Sequence, residues 1–218
     1  MDKKELICFI GMRNTGKGYQ SKSYIDKGYK KISLAGTLRD LLYRVINYTP
    51  SNYDEFKVSD VYIDIKSKFL GFIPYTKKLK ITKGRNLLQN IGSGIKDLFD
   101  PEIWATTWYK KVLDSGCNVC CDDVRFDYEI KKALSLTKKG YKVKFVWCCY
   151  SGANFEEILS DKHESEALAQ FIYLNSDKYK VKDGCEIPKK TLLKIIKDFN
   201  NEHIKNEEYE MIFNSIFK

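Results

Sequence analysis

The chain has 218 residues, a formal net charge of +9, 43% hydrophobic residues and 31% charged residues. This composition is typical of a globular protein and excludes a disordered or collagen-like chain, and no apolar run is long enough to span a membrane. The basic charge suits a phosphate-rich partner, which means either nucleic acid or a nucleotide.

The seven cysteines do not have the paired spacing of a zinc site. They include two clusters in apolar stretches, at residues 117–121 and 148–149. We therefore expect reduced, buried thiols, and the amino terminus lacks a signal-peptide pattern. These features predict a cytoplasmic protein without a membrane anchor.

The first predicted element is a buried strand at residues 6–10, which runs into a glycine-rich loop. Gly11, four further residues and then Gly16-Lys17 have the P-loop spacing G-x-x-x-x-G-K. In such a loop, backbone N–H groups meet phosphate oxygens, and the lysine reaches the outer phosphates. The predicted donor-phosphate site consists of Gly11, Arg13, Asn14, Thr15, Gly16, Lys17 and Gly18.

Gly18 departs from the P-loop pattern. This position normally holds Ser or Thr, whose hydroxyl binds Mg²⁺. The sequence therefore supports nucleotide binding better than magnesium-dependent chemistry. Ser21, about one helical turn further on, is a candidate substitute for that hydroxyl.

Helices and strands then alternate along the chain. We expect a helix at residues 19–26, a short strand at 30–34, and an amphipathic helix at 35–46 that packs on the sheet. Arg39 lies near the start of that helix, where it can face a phosphate. Short apolar runs and lysines at residues 48–83 predict an inserted hairpin or cap over the site.

Two more helices carry polar and aromatic pairs four residues apart. Arg85 and Gln89 share one face of the first helix and can contact one ligand together. Trp104 and Trp108 are spaced in the same way on the next helix, which Asp100 caps. We expect core packing for one indole and base stacking for the other.

A second buried strand, at residues 118–123, ends in carboxylates. Ligands bind at the carboxyl ends of parallel strands, so we expect Asp123 and Arg125 beside the P-loop. Further strands are predicted at residues 142–149 and 171–174, with helices from Pro188 onward.

The order of these elements predicts an α/β fold of the P-loop NTPase type. Its sheet is expected to be doubly wound and mainly parallel, with helices on its faces. We predict a single kinase domain over residues 1–218, with an acceptor-binding insertion at 48–115 and a lid-like segment at 150–170.

The series of motifs resembles the deoxynucleoside monophosphate kinases of bacteriophages and large viruses. This branch of the P-loop kinases also includes animal phosphomevalonate kinase. The resemblance covers most of residues 5–176. Beyond the P-loop it rests on SLAGTLR at 33–39, R-x-L-L-Q-x-I-G at 85–92, Trp104, D-V-R-F-x-x-E at 123–129, H-E-S-E at 163–166, and Asn175.

The resemblance implies that the γ-phosphoryl group of ATP is transferred to a (deoxy)nucleoside 5′-monophosphate, with ATP and Mg²⁺ as cofactors. It implies catalytic roles for Lys17, Arg85, Asp123 and Arg125, with Asp123 holding Mg²⁺ through water. The implied acceptor-binding residues are Arg39, Arg85, Gln89, Trp104, Arg125 and Glu129. The implied lid residues are His163 and Glu166.

Two other functions stay open. Gly18 favours a viral relative that binds nucleotide but is catalytically weak or inactive, with a structural, regulatory or DNA-binding role. The charge of +9 favours a nucleic-acid-binding module, but the chain has no helix-turn-helix, zinc-finger or RNA-binding signature, so nucleic acid is not the favoured partner. A homodimer is also left open, and a viral chain would act in the host cytoplasm.

Overall fold

The computed structural model describes residues 3–46, 60–69, 73–160 and 163–217. Its strands are β1 (Lys4–Ile10), β2 (Lys30–Lys31), β3 (Asp60–Phe69), β4 (Ile73–Lys83), β5 (Val119–Val124) and β6 (Tyr141–Trp147). Its helices are α1 (Lys17–Ile25), α2 (Gly36–Ile46), α3 (Gly84–Leu98), α4 (Ile103–Ser115), α5 (Asp127–Ser135), α6 (Phe155–Leu159), α7 (Glu164–Leu174), α8 (Ser176–Tyr179) and α9 (Lys189–Phe217). A short 3-10 helix spans Leu136–Lys139.

The chain divides into two compact units. One consists of Met1–Leu34 and Trp108–Lys218, and the other of Ala35–Thr107. The second unit contains most of the segment predicted as an insertion at 48–115. The domain prediction itself stays a prediction.

The first unit is built on a four-stranded sheet in the order β2-β5-β1-β6, in which neighbouring strands are parallel. β1 pairs with β5 and β6 on its two sides, so the five residues that end it, at positions 6–10, are almost fully buried. A central parallel strand needs a continuous apolar run for this reason. The structure confirms an α/β fold with a parallel sheet flanked by helices.

The predicted strand at residues 171–174 is wrong, because these residues form the last turn of α7. The buried side chains of α7 are those of Glu166, Leu168, Ala169, Phe171 and Ile172, a spacing that gives one helical face. A four-residue apolar run is compatible with either a strand or a helix, and the preceding face decides in favour of the helix.

The outer edge of β6 is covered by another segment, at residues 184–187. The Trp147 N–H donates to the Cys185 carbonyl oxygen at 3.0 Å, and the Ile187 N–H donates to the Phe145 carbonyl oxygen at 2.7 Å. The bridge here is antiparallel. The sequence did not indicate this edge segment.

In the second unit, β3 and β4 form an antiparallel pair from Asp60 opposite Lys83 to Phe69 opposite Ile73. The described residues thus contain a hairpin within the predicted insertion, while its predicted place over the site stays a prediction. Residues 47–59 and 70–72, which belong to the same predicted insertion, lie outside the described residues.

The predicted helix at residues 35–46 is confirmed as α2. Its described packing partner is α3, since Leu38 of α2 and Leu88 of α3 form a buried pair. Leu87, Ile91 and Trp104 surround that pair. In the described part of the chain, no helix combines the length and apolar character needed to cross a membrane.

Candidate nucleotide-binding site

The loop between β1 and α1 has the backbone conformation that its glycines predict. Gly16 has φ of 86° and Asn14 has φ of 60°, both in the left-handed region that favours glycine or asparagine. The Thr15 hydroxyl donates to the Met12 carbonyl oxygen at 2.7 Å, inside the loop. The chain therefore folds back on itself before α1 begins at Lys17.

Position 11 requires glycine because the backbone just after β6 passes close to it. A Cβ atom at Gly11 would overlap the Cys148 carbonyl oxygen and would lie 2.8 Å from Thr15 Oγ1. The same segment is fixed to the loop by two hydrogen bonds, from the Cys148 N–H to the Ile10 carbonyl oxygen at 2.8 Å and from the Tyr150 N–H to the Thr15 carbonyl oxygen at 3.3 Å. No side chain other than hydrogen fits at position 11.

The ammonium group of Lys17 lies inside the loop. Its Nζ donates to the Gly11 carbonyl oxygen at 2.6 Å and also to the Met12 carbonyl oxygen, and the side chain is only 7% exposed. Burial, together with the positive charge of Arg125, lowers the pKa of Lys17 to about 7, and the negative charge of Glu166 opposes this shift. The predicted catalytic cation is thus held inside the glycine loop by two carbonyl oxygens.

Glu166 links this loop to Arg125. It is only 2% exposed; its Oε2 accepts the Arg13 N–H at 2.9 Å and its Oε1 forms an ion pair with Arg125 Nη1. The Arg13 N–H, predicted to face a phosphate, therefore donates to a carboxylate. The sequence placed Glu166 in a lid, whereas the structure places it against the P-loop backbone.

Glu129 fixes the backbone at Arg125. Its Oε2 accepts the N–H groups of Arg125 at 2.6 Å and of Phe126 at 3.0 Å, which satisfies donors at the start of α5. Burial raises the pKa of Glu129 to about 8. The structure thus brings Lys17, Arg125, Glu129 and Glu166 together, as the motifs predicted for the first three.

The two aspartates that end β5 have different surroundings. Asp123 Oδ1 accepts the Leu34 N–H at 2.8 Å. Asp122 Oδ2 lies 2.6 Å from Lys31 Nζ and 3.5 Å from the Ser21 hydroxyl oxygen of α1. Consecutive strand residues point to opposite faces of a sheet, so only one of two neighbouring aspartates can face α1.

Asp122 was missed in the sequence analysis, although the alternation along β5 contains the signal. Cys120 belongs to the buried cluster that packs against Tyr24 of α1. Asp122 is two residues further along the strand and therefore shares that face. The magnesium role predicted for Asp123 stays a prediction.

The remaining lid residue, His163, lies at the start of α7. Its Nδ1 accepts the Ser165 N–H at 3.2 Å and so caps the helix. A second arginine contact joins this region to the P-loop, since Arg13 pairs with Glu157 of α6 at 2.7 Å. Residues 161–162 of the predicted lid lie outside the described residues.

The other predicted acceptor residues belong to the second unit. Arg39 Nε donates to the Ala35 carbonyl oxygen at 3.4 Å, and Gln89 is half-buried on α3. The side chain of Arg85 lies outside the described part of the structure. These residues keep their predicted roles as predictions.

Both tryptophans of α4 donate to backbone carbonyl oxygens. Trp104 Nε1 donates to Gly92 at 3.0 Å within the second unit, and its ring packs on the Leu38–Leu88 pair. Trp108 Nε1 donates to Ile32 at 2.9 Å within the first unit, where the ring is 1% exposed. Core packing accounts for Trp108, while Trp104 keeps a partly exposed ring.

Four of the seven cysteines are buried as expected: Cys8, Cys120, Cys121 and Cys148. The expectation is wrong for the other three, because Cys117 and Cys149 are half-buried and Cys185 is exposed. Within the described residues, no three His, Cys, Asp or Glu side chains are grouped so as to hold a metal ion.

Compared with models of known protein families and with curated proteins, the chain shows no match. A functional assignment therefore depends on the motifs and on the geometry around Lys17.

Proposed function

We propose that the chain binds a nucleoside triphosphate in the loop at residues 11–18 and transfers its γ-phosphoryl group to a (deoxy)nucleoside 5′-monophosphate. The observation that carries this proposal is the buried Lys17 ammonium, which lies inside a glycine loop at the start of α1 beside Arg125. The proposed fold is that of the P-loop kinases, with residues 48–115 as the acceptor-binding insertion and residues 150–170 as a lid.

The donor phosphates would bind the loop backbone. The N–H groups of residues 14–18 are the proposed donors, because the Arg13 N–H is bonded to Glu166. Lys17 would exchange its two carbonyl partners for phosphate oxygens, which bear a full negative charge. This exchange keeps the ammonium solvated by oxygen throughout.

Arg125 is the proposed clamp on the transferring group. A phosphate oxygen of the acceptor attacks the γ-phosphorus, and the bond from that phosphorus to the β–γ bridging oxygen breaks. ADP is released as the leaving group, and the acceptor becomes a (deoxy)nucleoside diphosphate. Such a transfer needs alignment and charge stabilisation more than covalent help from the protein. Glu129 fixes the backbone of Arg125, and Glu166 holds its guanidinium.

The residues beside α1 do not fit a Mg²⁺ ion coordinated directly by the protein. Position 18 has no hydroxyl, the Ser21 hydroxyl donates to the Gly18 carbonyl oxygen at 2.9 Å, and Asp122 is paired with Lys31. Mg²⁺ would therefore reach the site on the phosphates of ATP. None of the steps above requires a protein-bound metal.

A panel of the common dNMPs and NMPs, each mixed with ATP and Mg²⁺ and assayed for diphosphate product, tests the proposal. We expect product from at least one acceptor and a loss of about 10²-fold or more in Lys17→Met, which removes a preorganised charge at the transferring phosphate. A folded wild-type protein that binds no ATP would overturn the proposal.

A second candidate function is nucleotide binding without efficient catalysis. It is favoured by Gly18, which brings no hydroxyl to the metal, and by the Lys31–Asp122 pair, which occupies the carboxylate beside position 18. ATP binding that depends on Lys17, without diphosphate product from any acceptor, would select this candidate.

A further inference from the structure

A carboxylate close to the start of α1, that of Asp122, is already paired with a cation. Asp122 Oδ2 lies 2.6 Å from Lys31 Nζ, and the Asp122 side chain is 12% exposed while that of Lys31 is 41% exposed. Lys31 lies on β2, which pairs with β5 in the register Lys31 opposite Cys120. The sheet therefore positions this ammonium beside the carboxylate.

Position 18 faces the same carboxylate. An ideal Cβ at Gly18 would lie 3.7 Å from Asp122 Oδ2, which is ordinary van der Waals contact. A Ser or Thr side chain would thus reach the carboxylate, and Gly18 is not among the residues with positive φ. Glycine at this position is required neither by backbone strain nor by lack of space.

A metal ion that used Asp122 would have to displace an ammonium. Mg²⁺ demands short oxygen contacts in octahedral geometry and gives up its water reluctantly. Here it would break a close ion pair and would remain near the displaced positive charge, without the compensating hydroxyl at position 18. Binding of the metal by the protein is therefore disfavoured.

We infer that the Lys31–Asp122 ion pair replaces the contact that the protein would otherwise make to a metal ion, so that this chain binds nucleoside triphosphate almost as well without Mg²⁺ as with it. The inference rests on the proposed nucleotide-binding function of the P-loop. It concerns binding alone and leaves open how fast the phosphoryl group is transferred.

Calorimetric titration with ATP, once in excess EDTA and once in saturating Mg²⁺, tests the inference on the wild-type chain. We expect the two dissociation constants to agree within about threefold. Wild-type binding that requires Mg²⁺ would overturn this inference alone. Absence of ATP binding under both conditions would overturn the proposed nucleotide binding and this inference together.

Lys31→Met removes the ammonium and leaves Asp122 available to a metal. We expect the ratio of ATP affinities with and without Mg²⁺ to be about tenfold larger in this variant than in wild type. The reason is that the Asp122 carboxylate, without the Lys31 ammonium, gains a cation only when Mg²⁺ is present. Lys30→Met is the matched control, because Lys30 is the neighbouring exposed residue of β2 and makes the same change in net charge. Equal Mg²⁺ dependence in both variants would overturn the inference.

A direct metal signal complements the titrations. Mn²⁺ in the presence of ATP can be followed by electron paramagnetic resonance, which separates metal held by the protein from metal held by the nucleotide alone. We expect an altered bound spectrum in Lys31→Met, and a larger alteration when Gly18→Thr is added. Spectra identical to wild type in both variants would overturn the inference, because Asp122 would then not bind metal even without Lys31.

Discussion

The surroundings of Lys17 disfavour the protonated, charged form of its side chain. Burial and Arg125 lower its pKa to about 7, far from the usual lysine value of 10.5. The carboxylates of Glu166 and Asp122 act in the opposite direction. Between about pH 7 and 10.5 the folded protein binds fewer protons at this site than the unfolded chain, so this lysine makes folding more favourable as the pH rises through that range.

The same pKa predicts how ATP binding depends on pH. Phosphate oxygens favour the charged ammonium, so binding takes up a proton wherever the free protein has lost one. We expect the ATP affinity to fall as the pH rises above about 7, approaching tenfold per pH unit. Calorimetry in two buffers of different ionisation enthalpy measures the proton uptake. Lys17→Met should abolish it, and an affinity independent of pH would contradict the assignment.

Two glutamates paired with arginines differ mainly in burial. Glu166 is 2% exposed and pairs with Arg125, whereas the Glu157 side chain is 62% exposed and pairs with Arg13. We expect Glu166→Gln to lower the free energy of unfolding by about 2 kcal/mol, because it leaves a partly buried guanidinium without its counter-charge. Glu157→Gln should cost less than about 1 kcal/mol.

Urea denaturation of both variants measures the difference. Equal losses would mean that the buried Glu166 carboxylate contributes no more than a surface charge. Glu166→Gln also separates charge from hydrogen bonding, because the amide oxygen of the new side chain can still accept the Arg13 N–H.

At the scale of elements, α3 offers two glycines with different surroundings. A Cβ at Gly92 would lie 2.9 Å from Leu38 Cδ2 of α2, while a Cβ at Gly94 meets no atom within 4 Å. Neither glycine has positive φ, so alanine is compatible with the helical backbone at both positions. The glycine in the R-x-L-L-Q-x-I-G motif therefore permits close packing of two helices.

We expect Gly94→Ala to stabilise the protein by about 0.5–1 kcal/mol, because alanine loses less conformational entropy in a helix. Gly92→Ala should gain less or should destabilise, since the buried Leu38 must move. Chemical denaturation followed by circular dichroism gives both values. A larger gain at Gly92 than at Gly94 would contradict the described packing of α2 on α3.

The sequence predicted elements well where several signals agreed. The run at residues 6–10, the glycine spacing and the polar residues at the end of β5 together indicated the parallel strands and the tight loop between β1 and α1, because each depends on local backbone requirements. Phosphate binding by that loop stays a prediction. The strand prediction at residues 171–174 was wrong, since four consecutive apolar residues show neither the period of a strand nor that of a helix. The edge segment at 184–187 was missed because its pairing with β6 is a long-range contact that no local pattern encodes.

The candidate site was predictable to a similar extent. Lys17 follows from the glycine spacing and Arg125 from its place just after β5. Glu129 and Glu166 were selected by resemblance. The choice between Asp122 and Asp123 required knowledge of which face of β5 meets α1. The Lys31–Asp122 pair depends on β2 lying beside β5, which only the strand order provides.

At the scale of the whole molecule, the proposed donor and acceptor residues belong to different units of the chain. The P-loop and Arg125 lie in the first unit, and Gln89 lies in the second. We expect Gln89→Ala to alter the ranking among dNMPs while the ATP affinity stays unchanged, because an unmatched buried amide costs about 1–3 kcal/mol against the wrong base. A uniform loss for every acceptor would indicate a structural glutamine.

A nucleic-acid-binding module is the alternative function that the net charge of +9 favours, and it would bind DNA at a surface separate from the proposed nucleotide site. Contacts with many phosphates release counterions, so the affinity for mixed DNA should fall by about 10²-fold or more from low to physiological salt. Lys17→Met should leave DNA retention unchanged in a gel shift, because this lysine is enclosed in the loop. Equal losses of DNA and ATP binding in Lys17→Met would show a shared site.

The segment at residues 184–187, which covers the edge of β6, also contains an exposed thiol that can be labelled. Cys185 has an exposed side chain, and its carbonyl oxygen is fixed by the Trp147 N–H. Two residues earlier, Asp183 accepts a hydrogen bond from Gln20 of α1 at 3.3 Å. A maleimide should label this thiol ahead of the buried ones, and a fluorophore attached there would sense movements of α1 without occupying the loop at residues 11–18.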